Sequence, residues 1–381
     1  WALCRNLSFE DVEARVKAGQ PFVLRLRSNG NAEHTIKVRD LVKGELEMPE
    51  NETDVVILKS DGIPTYHFAH VVDDHFMRTT HVVRGEEWLS TFPIHLQLFD
   101  AMGWQPPQFI HTAHMMKLDN GNKRKLSKRK DPEFGMEYYD REGFPVEAII
   151  EYLMTVLNSN YEEWRLKNPE ASYRDFKFKA EKMSSSGALF DLDKLTDISK
   201  NIVARMTADE VYEKVLVWAE KYDPSFYLLL SADPSYAKAI LSIGRGGKKP
   251  RKDLWLWSKV KDYMDFFYDE LFFPAQTYPT HISESDVKKI LEQYAGMYNE
   301  NDDQNLWFDK LKLLASDFGF AAETKEYKNN PTDYKGHVGD IAMILRVAVT
   351  GKMVSPDTYA VIQVLGKERV LHRIQVAAQS L

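Results

Sequence analysis

Apolar positions fall into two regimes along the chain. Up to about residue 118, short apolar runs alternate with helix-spaced segments. Phe22-Val23-Leu24-Arg25-Leu26, ended by Asn29-Gly30-Asn31, and residues 54–59, closed by Asp61-Gly62-Ile63-Pro64, predict strands. Ahead of them, Ser8-Phe9-Glu10-Asp11 predicts a helix through Val16, since a serine cap with a carboxylate three residues on satisfies exposed amides. From Thr65 the spacing turns helical, with Phe68, Val71, Val72 and His75-Phe76 on one side. His81-Val82-Val83-Arg84 predicts a strand leading into Gly85, residues 93–102 a helix stopped by Gly103, and 109–116 a third strand before a basic loop.

Strand, helix, strand, helix, strand is the order of a parallel α/β sheet, and about half of a doubly wound one is accounted for. Past about residue 135 strand signals fade. Helices are predicted over 145–157, 170–180, 207–222, 235–242, 253–272, 283–298, 304–317, 338–348, 356–365 and 367–378. An α/β half followed by an all-α half implies separate catalytic and binding domains.

Composition narrows the class. The 381 residues exceed one ordinary core, and 44% hydrophobic with 28% charged residues is a globular balance. The longest apolar runs, such as Ala342-Met343-Ile344-Leu345 before Arg346, are far too short to span a membrane, and no leader pattern is present. Cys4, the only cysteine, excludes an internal disulfide and a multi-cysteine zinc site, which points to a reducing, cytoplasmic setting. The net charge of −7 argues against an indiscriminate polyanion binder, but the cations are clustered, in Lys123 to Lys130 and again in Arg245 to Lys252. Taken by itself, either run reads first as a solvated loop. His67, His70, His75 and His81 with Asp73 and Asp74 share no consistent ligand face, so no metal site is expected.

Two constellations carry chemistry. Lys125-Leu126-Ser127-Lys128-Arg129 follows the third strand, and flexible cations at the carboxyl end of a parallel strand lie where such sheets bind nucleotides. Two lysines flanking a serine can hold a triphosphate and neutralise a departing pyrophosphate. Upstream lie Ser60-Asp61-Gly62-Ile63-Pro64-Thr65-Tyr66-His67-Phe68-Ala69-His70 and His81-Val82-Val83-Arg84-Gly85-Glu86-Glu87-Trp88. Taken alone, Arg84 reads as a strand-end salt-bridge partner, Tyr66 as a buried hydroxyl and Trp88 as core.

With Phe190-Asp191-Leu192-Asp193-Lys194-Leu195, Leu345-Arg346-Val347-Ala348-Val349-Thr350-Gly351 and Leu365-Gly366-Lys367-Glu368-Arg369, these segments resemble, in family order, the bacterial-type glutamyl-tRNA synthetases, class I aminoacyl-tRNA synthetases whose signature loop the Lys-Leu-Ser-Lys-Arg run matches. The resemblance implies that Tyr66, His70 and Arg84 bind glutamate, with His70 standing where relatives often carry another small polar residue. It implies that Glu87, Trp88, Met115 and Met116 contact ATP, that Lys128 is the main triphosphate contact, and that Lys125 assists it. It further implies ATP with Mg²⁺, L-glutamate and tRNA(Glu) as substrates and partners, and a monomer in the cytoplasm.

The same resemblance divides the chain functionally. Residues 1–53 would end an acceptor-binding insertion, 54–118 form the second half of a Rossmann-like catalytic domain, and 119–205 carry the signature loop and stem contacts. Residues 206–300 and 301–381 would be two helical anticodon-binding domains. The all-α tail separates the chain from glutaminyl relatives with β-barrel anticodon modules, and from short tRNA-modifying relatives without an anticodon domain. No His-x-Gly-His element occurs, Gly336-His337-Val338-Gly339 being the nearest approach. A truncated chain, inactive alone, is therefore expected. The alternative is a non-catalytic tRNA-binding module of the same descent.

Overall fold

The computed structural model describes residues 2–247, 250–274 and 277–381. Two members of the second basic cluster, Lys248 and Lys249, lie outside the described residues. The chain forms two compact units, one of residues up to Phe134 with Ile150–Leu192, the other of Gly135–Ile149 with Asp193–Leu381.

The first unit is mixed. Ser8 caps helix α1 (Phe9–Lys17) by accepting from the Asp11 amide, the expected N-terminal device. Strand β1 (Leu24–Arg25) pairs antiparallel with β4 (Val56–Leu58) in a small sheet of their own, so the 22–26 run is mostly irregular and residues 54–59 do not join the parallel sheet. That sheet has the order β3-β2-β6-β5, with β2 (Thr35–Asp40), β3 (Gly44–Pro49), β5 (His81–Gly85) and β6 (Gln108–Thr112). The β2–β3 hairpin turns at Gly44, whose φ of +79° suits glycine. Its strands alternate Ile36, Val38 and Leu46, Met48 against polar neighbours, a two-residue period that the sequence reading passed over.

Helices α2 (Tyr66–Phe76) and α3 (Phe92–Ala101) bury Val71, Phe92, Leu98 and Phe99 against Phe109 of β6 and Ile57 of β4. The predicted third strand, 109–116, is two strands in different sheets. After β6 the chain starts β7 (Met115–Asp119), which pairs antiparallel with β8 (Asn122–Lys125) and parallel with β9 (Ala188–Leu189). The turn is Asn120-Gly121, with φ of 51° and 82°, the pair that a two-residue hairpin favours. Lys123, Arg124 and Lys125 are therefore in a strand, not a flexible loop.

The second unit is helical around one continuous apolar core running from Val203 to Ala378, which both stretches 206–300 and 301–381 share. Two predicted helices fail. Residues 170–180 contain only short 3₁₀ turns: Ser172 and Asp175 make a capping box, but the helix does not propagate. Residues 253–272 start extended, with Leu254 and Leu256 buried two apart, and then break into the 3₁₀ turn Trp257–Lys259, the short helix Val260–Met264 and the 3₁₀ turn Asp265–Phe267, which lets both Phe266 and Phe267 face inward. Helices Met136–Glu142, Tyr161–Lys167, Leu192–Arg205, Pro224–Ala232 and Thr324–Asn329 were not anticipated.

Candidate active site

Parallel pairing of β5 and β6 sets Arg84 opposite His111 and sends both side chains to the same face. Arg84 Nε donates to His111 Nε2 at 2.9 Å, and its Nη1 lies 3.0 Å from His95 Nδ1. His95 Nε2 in turn sits 2.8 Å from His67 Nδ1. Phe109 and Phe92 flank the guanidinium, its Cζ lying 5.1 Å and 5.7 Å from their ring centres. Burial pushes the Arg84 guanidinium below its ordinary value, opposed by the Tyr66 hydroxyl and by Asp74 and Asp40. Its third nitrogen, Nη2, is buried with no hydrogen-bond partner among the described residues. Among the described residues no carboxylate forms an ion pair with Arg84, so the strand-end salt bridge is not its role here.

Burial favours the uncharged form of His95, His67 and His70. Burial, then the nearby Arg84 charge, pushes His95 down to about 2, and burial likewise lowers His67. His70 Nδ1 lies 2.6 Å from Asp74 Oδ2 one helical turn on, and its buried Nε2 has no partner among the described residues. Burial lowers His70 as well, against the pull of Asp74. Tyr66, half-exposed at the start of α2, stacks on His70 at 5.7 Å and leans on Trp88 at 4.5 Å. Trp88 is thus a partly exposed platform rather than core. Tyr66, His70, Arg84 and Trp88 are brought together, with one buried donor and one buried ring nitrogen unfilled.

The remaining candidates are strung beside them. Glu87 is exposed, and its Oε2 lies 3.6 Å from His114 Nδ1. His114 Nε2 is 3.3 Å from Lys125 Nζ on β8. Met115 and Met116 lie on β7, directly beside the signature strand: Met116 opposes Lys125, and the Met115 carbonyl accepts from the Leu126 amide. Lys128 is exposed on the turn beyond, and among the described residues nothing ties it down. Arg124 and Asp131, which sequence reasoning missed, fix that turn. Arg124 makes a two-pronged pair to Asp131 at 2.6 and 2.7 Å, and Asp131 also accepts from the Ser127 amide at 2.9 Å. Arg124 holds the Asp131 carboxyl well below the usual carboxylate range.

Residues 2–197 match the catalytic domain of the class I tRNA synthetases (E and Q), and residues 256–378 match an anticodon binding domain. The glutamate–tRNA ligase of Acetivibrio thermocellus is 51% identical over 98% of this chain and 69% of that protein. The chain belongs to the glutamate–tRNA ligase family. The ligase of Clostridium perfringens strain 13 is 45% identical over the same shares of each chain, 98% and 69%. Among solved structures, the glutamate-tRNA synthetase of Elizabethkingia anophelis superposes with a TM-score of 0.72 at 23% identity, over 98% of this chain and 71% of that one. A glutamate tRNA ligase of Elizabethkingia meningosepticum in complex with its amino acid gives 0.71 at 23%, over 98% and 72%. At that identity the likeness concerns the fold.

Within this glutamate–tRNA ligase family chain, no described group of three or more histidine, cysteine or acidic residues is arranged to hold a metal ion. No described helix is long and apolar enough to cross a membrane. His337, of the nearest approach to His-x-Gly-His, caps the helix Val338–Thr350 by accepting from the Gly339 amide. In the helical unit a cavity of about 520 Å³ is lined by Arg369, His372 and Arg373. Arg373 is already committed, to the Phe266 and Val349 carbonyls and Asp269. The second basic cluster is likewise partly internal: Arg245 donates to the Leu241 and Val203 carbonyls, and Arg251 pairs with Asp253.

Proposed function

We propose that the chain serves ATP-dependent activation of L-glutamate and transfer of the glutamyl group to the terminal ribose of tRNA(Glu). The carrying observation is Arg84, a half-buried guanidinium that among the described residues has no acidic partner and leaves its buried Nη2 unfilled, beside Tyr66 and His70. A planar fork suits a substrate carboxylate, because two parallel bonds fix both position and charge. Tyr66 adds a hydroxyl to the same carboxylate, and His70 offers a ring nitrogen to the rest of the amino acid.

ATP, entering with magnesium as a substrate pair, lies along Glu87, Trp88 and the Met115–Met116 strand. Attack of a glutamate carboxylate oxygen on the α-phosphorus forms the mixed anhydride and expels pyrophosphate. Lys128, assisted by Lys125, neutralises the charge that builds on the leaving group. The 2′- or 3′-hydroxyl of the tRNA terminus then takes the acyl group and AMP leaves. The five-part functional division at residues 53, 118, 205 and 300 belongs to this reading, as do a monomeric state and a cytoplasmic setting.

A second reading, tRNA binding without catalysis, is not favoured by the glutamate–tRNA ligases that match this chain. ATP–pyrophosphate exchange by the 381-residue chain and by a full-length enzyme separates the two. Calorimetric titration of L-glutamate tests the pocket directly. Arg84→Ala is expected to weaken binding by tens of fold, the scale of a charge-assisted pair, and Arg84→Lys not to restore it. Equal affinity of the chain and Arg84→Ala for L-glutamate would remove Arg84 from the pocket.

A further inference from the structure

Asp40, at the end of β2, is the most completely satisfied carboxylate around Arg84. Its Oδ1 accepts from the Val42 and Lys43 amides at 2.9 and 2.8 Å. Its Oδ2 accepts from the His111 amide at 3.0 Å and lies 2.7 Å from His111 Nδ1. Asp40 is 1% exposed and His111 0%. Burial alone would raise the Asp40 carboxyl, but the His111 ring and the Lys43 and Val42 amides outweigh it and hold it low. A turn-capping role accounts for the Oδ1 bonds. It leaves the Oδ2 bond to the His111 ring unexplained.

That bond decides how His111 faces Arg84. An ionised carboxylate can only accept, so Nδ1 carries the ring proton and Nε2 presents a lone pair. Arg84 Nε can only donate, and it points at that lone pair from 2.9 Å. With the proton on Nε2 instead, two N–H groups would meet inside a site closed by Phe92 and Phe109. An unsatisfied buried donor there would push the guanidinium away from its seat.

We propose that Asp40 and His111 form a buried, tautomer-setting couple that positions Arg84, fixing Nε inward so that the Nη2 edge stays open to a ligand carboxylate. Both are positioning residues: neither need touch substrate. The inference rests on the reading of Arg84 as the carboxylate anchor. It explains why a charge sits on a strand end remote in sequence from the pocket, and why an imidazole rather than an apolar side chain fills the fully buried position beside Arg84. A methyl or phenyl group at 111 would fill the space and leave Nε without an acceptor.

The test uses the whole chain with histidine labelled in nitrogen-15, L-glutamate as the probe, and Arg84→Ala as the reference. Tautomers are read from long-range proton–nitrogen correlations, with the His111 signals assigned by their loss in His111→Gln. The expected spectrum shows His111 protonated on Nδ1. Asp40→Asn, whose amide can donate to Nδ1, should lose that pattern and bind L-glutamate about tenfold more weakly, as for one lost charge-assisted hydrogen bond. His111→Phe should show the same loss. His111→Gln, which keeps an acceptor near the Nε2 position, should stay within about threefold of the parent. That rescue is something mere packing would not give. An Nε2-protonated His111 in the parent overturns the proposal. So does parental affinity in His111→Phe while Arg84→Ala binds weakly, which spares the pocket reading. Parental affinity in Arg84→Ala overturns both. If Asp40→Asn does not fold, the contrast between His111→Phe and His111→Gln decides alone.

Discussion

His95 is 0% exposed, wedged between His67 and Arg84, and its ordinary value of 6.5 is pushed down to about 2. Folding therefore excludes a proton that the unfolded chain would bind. Above about pH 6.5 neither state holds it and the residue costs nothing. Between 6.5 and about 2 the unfolded state gains protons that the folded one refuses, so stability falls with pH by up to about 1.4 kcal/mol per unit for one such group. His67 and His70 are lowered in the same direction. The urea midpoint of the first unit should drop between pH 7 and 5, and His95→Gln should flatten that slope. An unchanged slope in the variant would mean that other groups set the acid response. Lys128 makes the opposite case, a cation held by nothing among the described residues. In the full-length enzyme Lys128→Ala should slow adenylate formation by about 10²-fold, as for one lost transition-state contact, with L-glutamate binding little changed. Near-normal exchange would leave the lysine a solvated charge.

At the scale of elements, the signature region is a hairpin and a clamped turn. The Asn120-Gly121 pair announces that hairpin in the sequence, because both residues accept positive φ. Reading 109–116 as one strand concealed it. The cations of 123–125 suggested a loop because charge is usually solvated, whereas here strand pairing with β7 supplies the backbone order. Arg124 and Asp131 lie seven residues apart, and nothing in their spacing marks them as partners. Asp131→Asn should release the turn: amide exchange at Ser127 and Lys130 should rise by an order of magnitude or more, while that of β6 stays unchanged. Protection equal to the parent's would show that the turn is held by its backbone alone. Strand β5 and helices α2 and α3 were legible, since each has a strong period and a clear stop, whereas β6 was legible in its start and not in its end. The segment 170–180 was misread because a capping box starts one turn without propagating it.

Over the whole molecule, the order of a mixed unit followed by helices was visible from the change in apolar period near residue 135. The division of labour between residues was less so. Arg84, Tyr66 and Trp88 meet only through the β5–β6 register and the packing of α2, and the buried acceptors His95 and His111 look in sequence like unremarkable members of a helix and a strand. Binding of tRNA(Glu) gives the molecular-scale prediction. Affinity should fall steeply between about 50 and 200 mM salt as phosphate contacts release counterions, while preference over a non-cognate tRNA persists. Equal, weak binding to both would deny the helical unit any anticodon reading.

The chain's path between units has a consequence for synthesis. Residues 135–149 leave the first unit before its last segment, 150–192, has been made, and their own partners come much later. Gly143 is the sharpest case. Its φ is +77°, a Cβ there would lie 2.7 Å from that of Trp257, and its carbonyl accepts from the Trp257 amide at 2.9 Å. At a translation rate of roughly 5–20 residues per second, that glycine waits about 6–23 s for its partner to be made. During that interval on the ribosome Tyr139 and Phe144 have each other to pack against, but not the later residues of the second unit. The order of translation, not only the final core, thus bears on when this segment becomes buried.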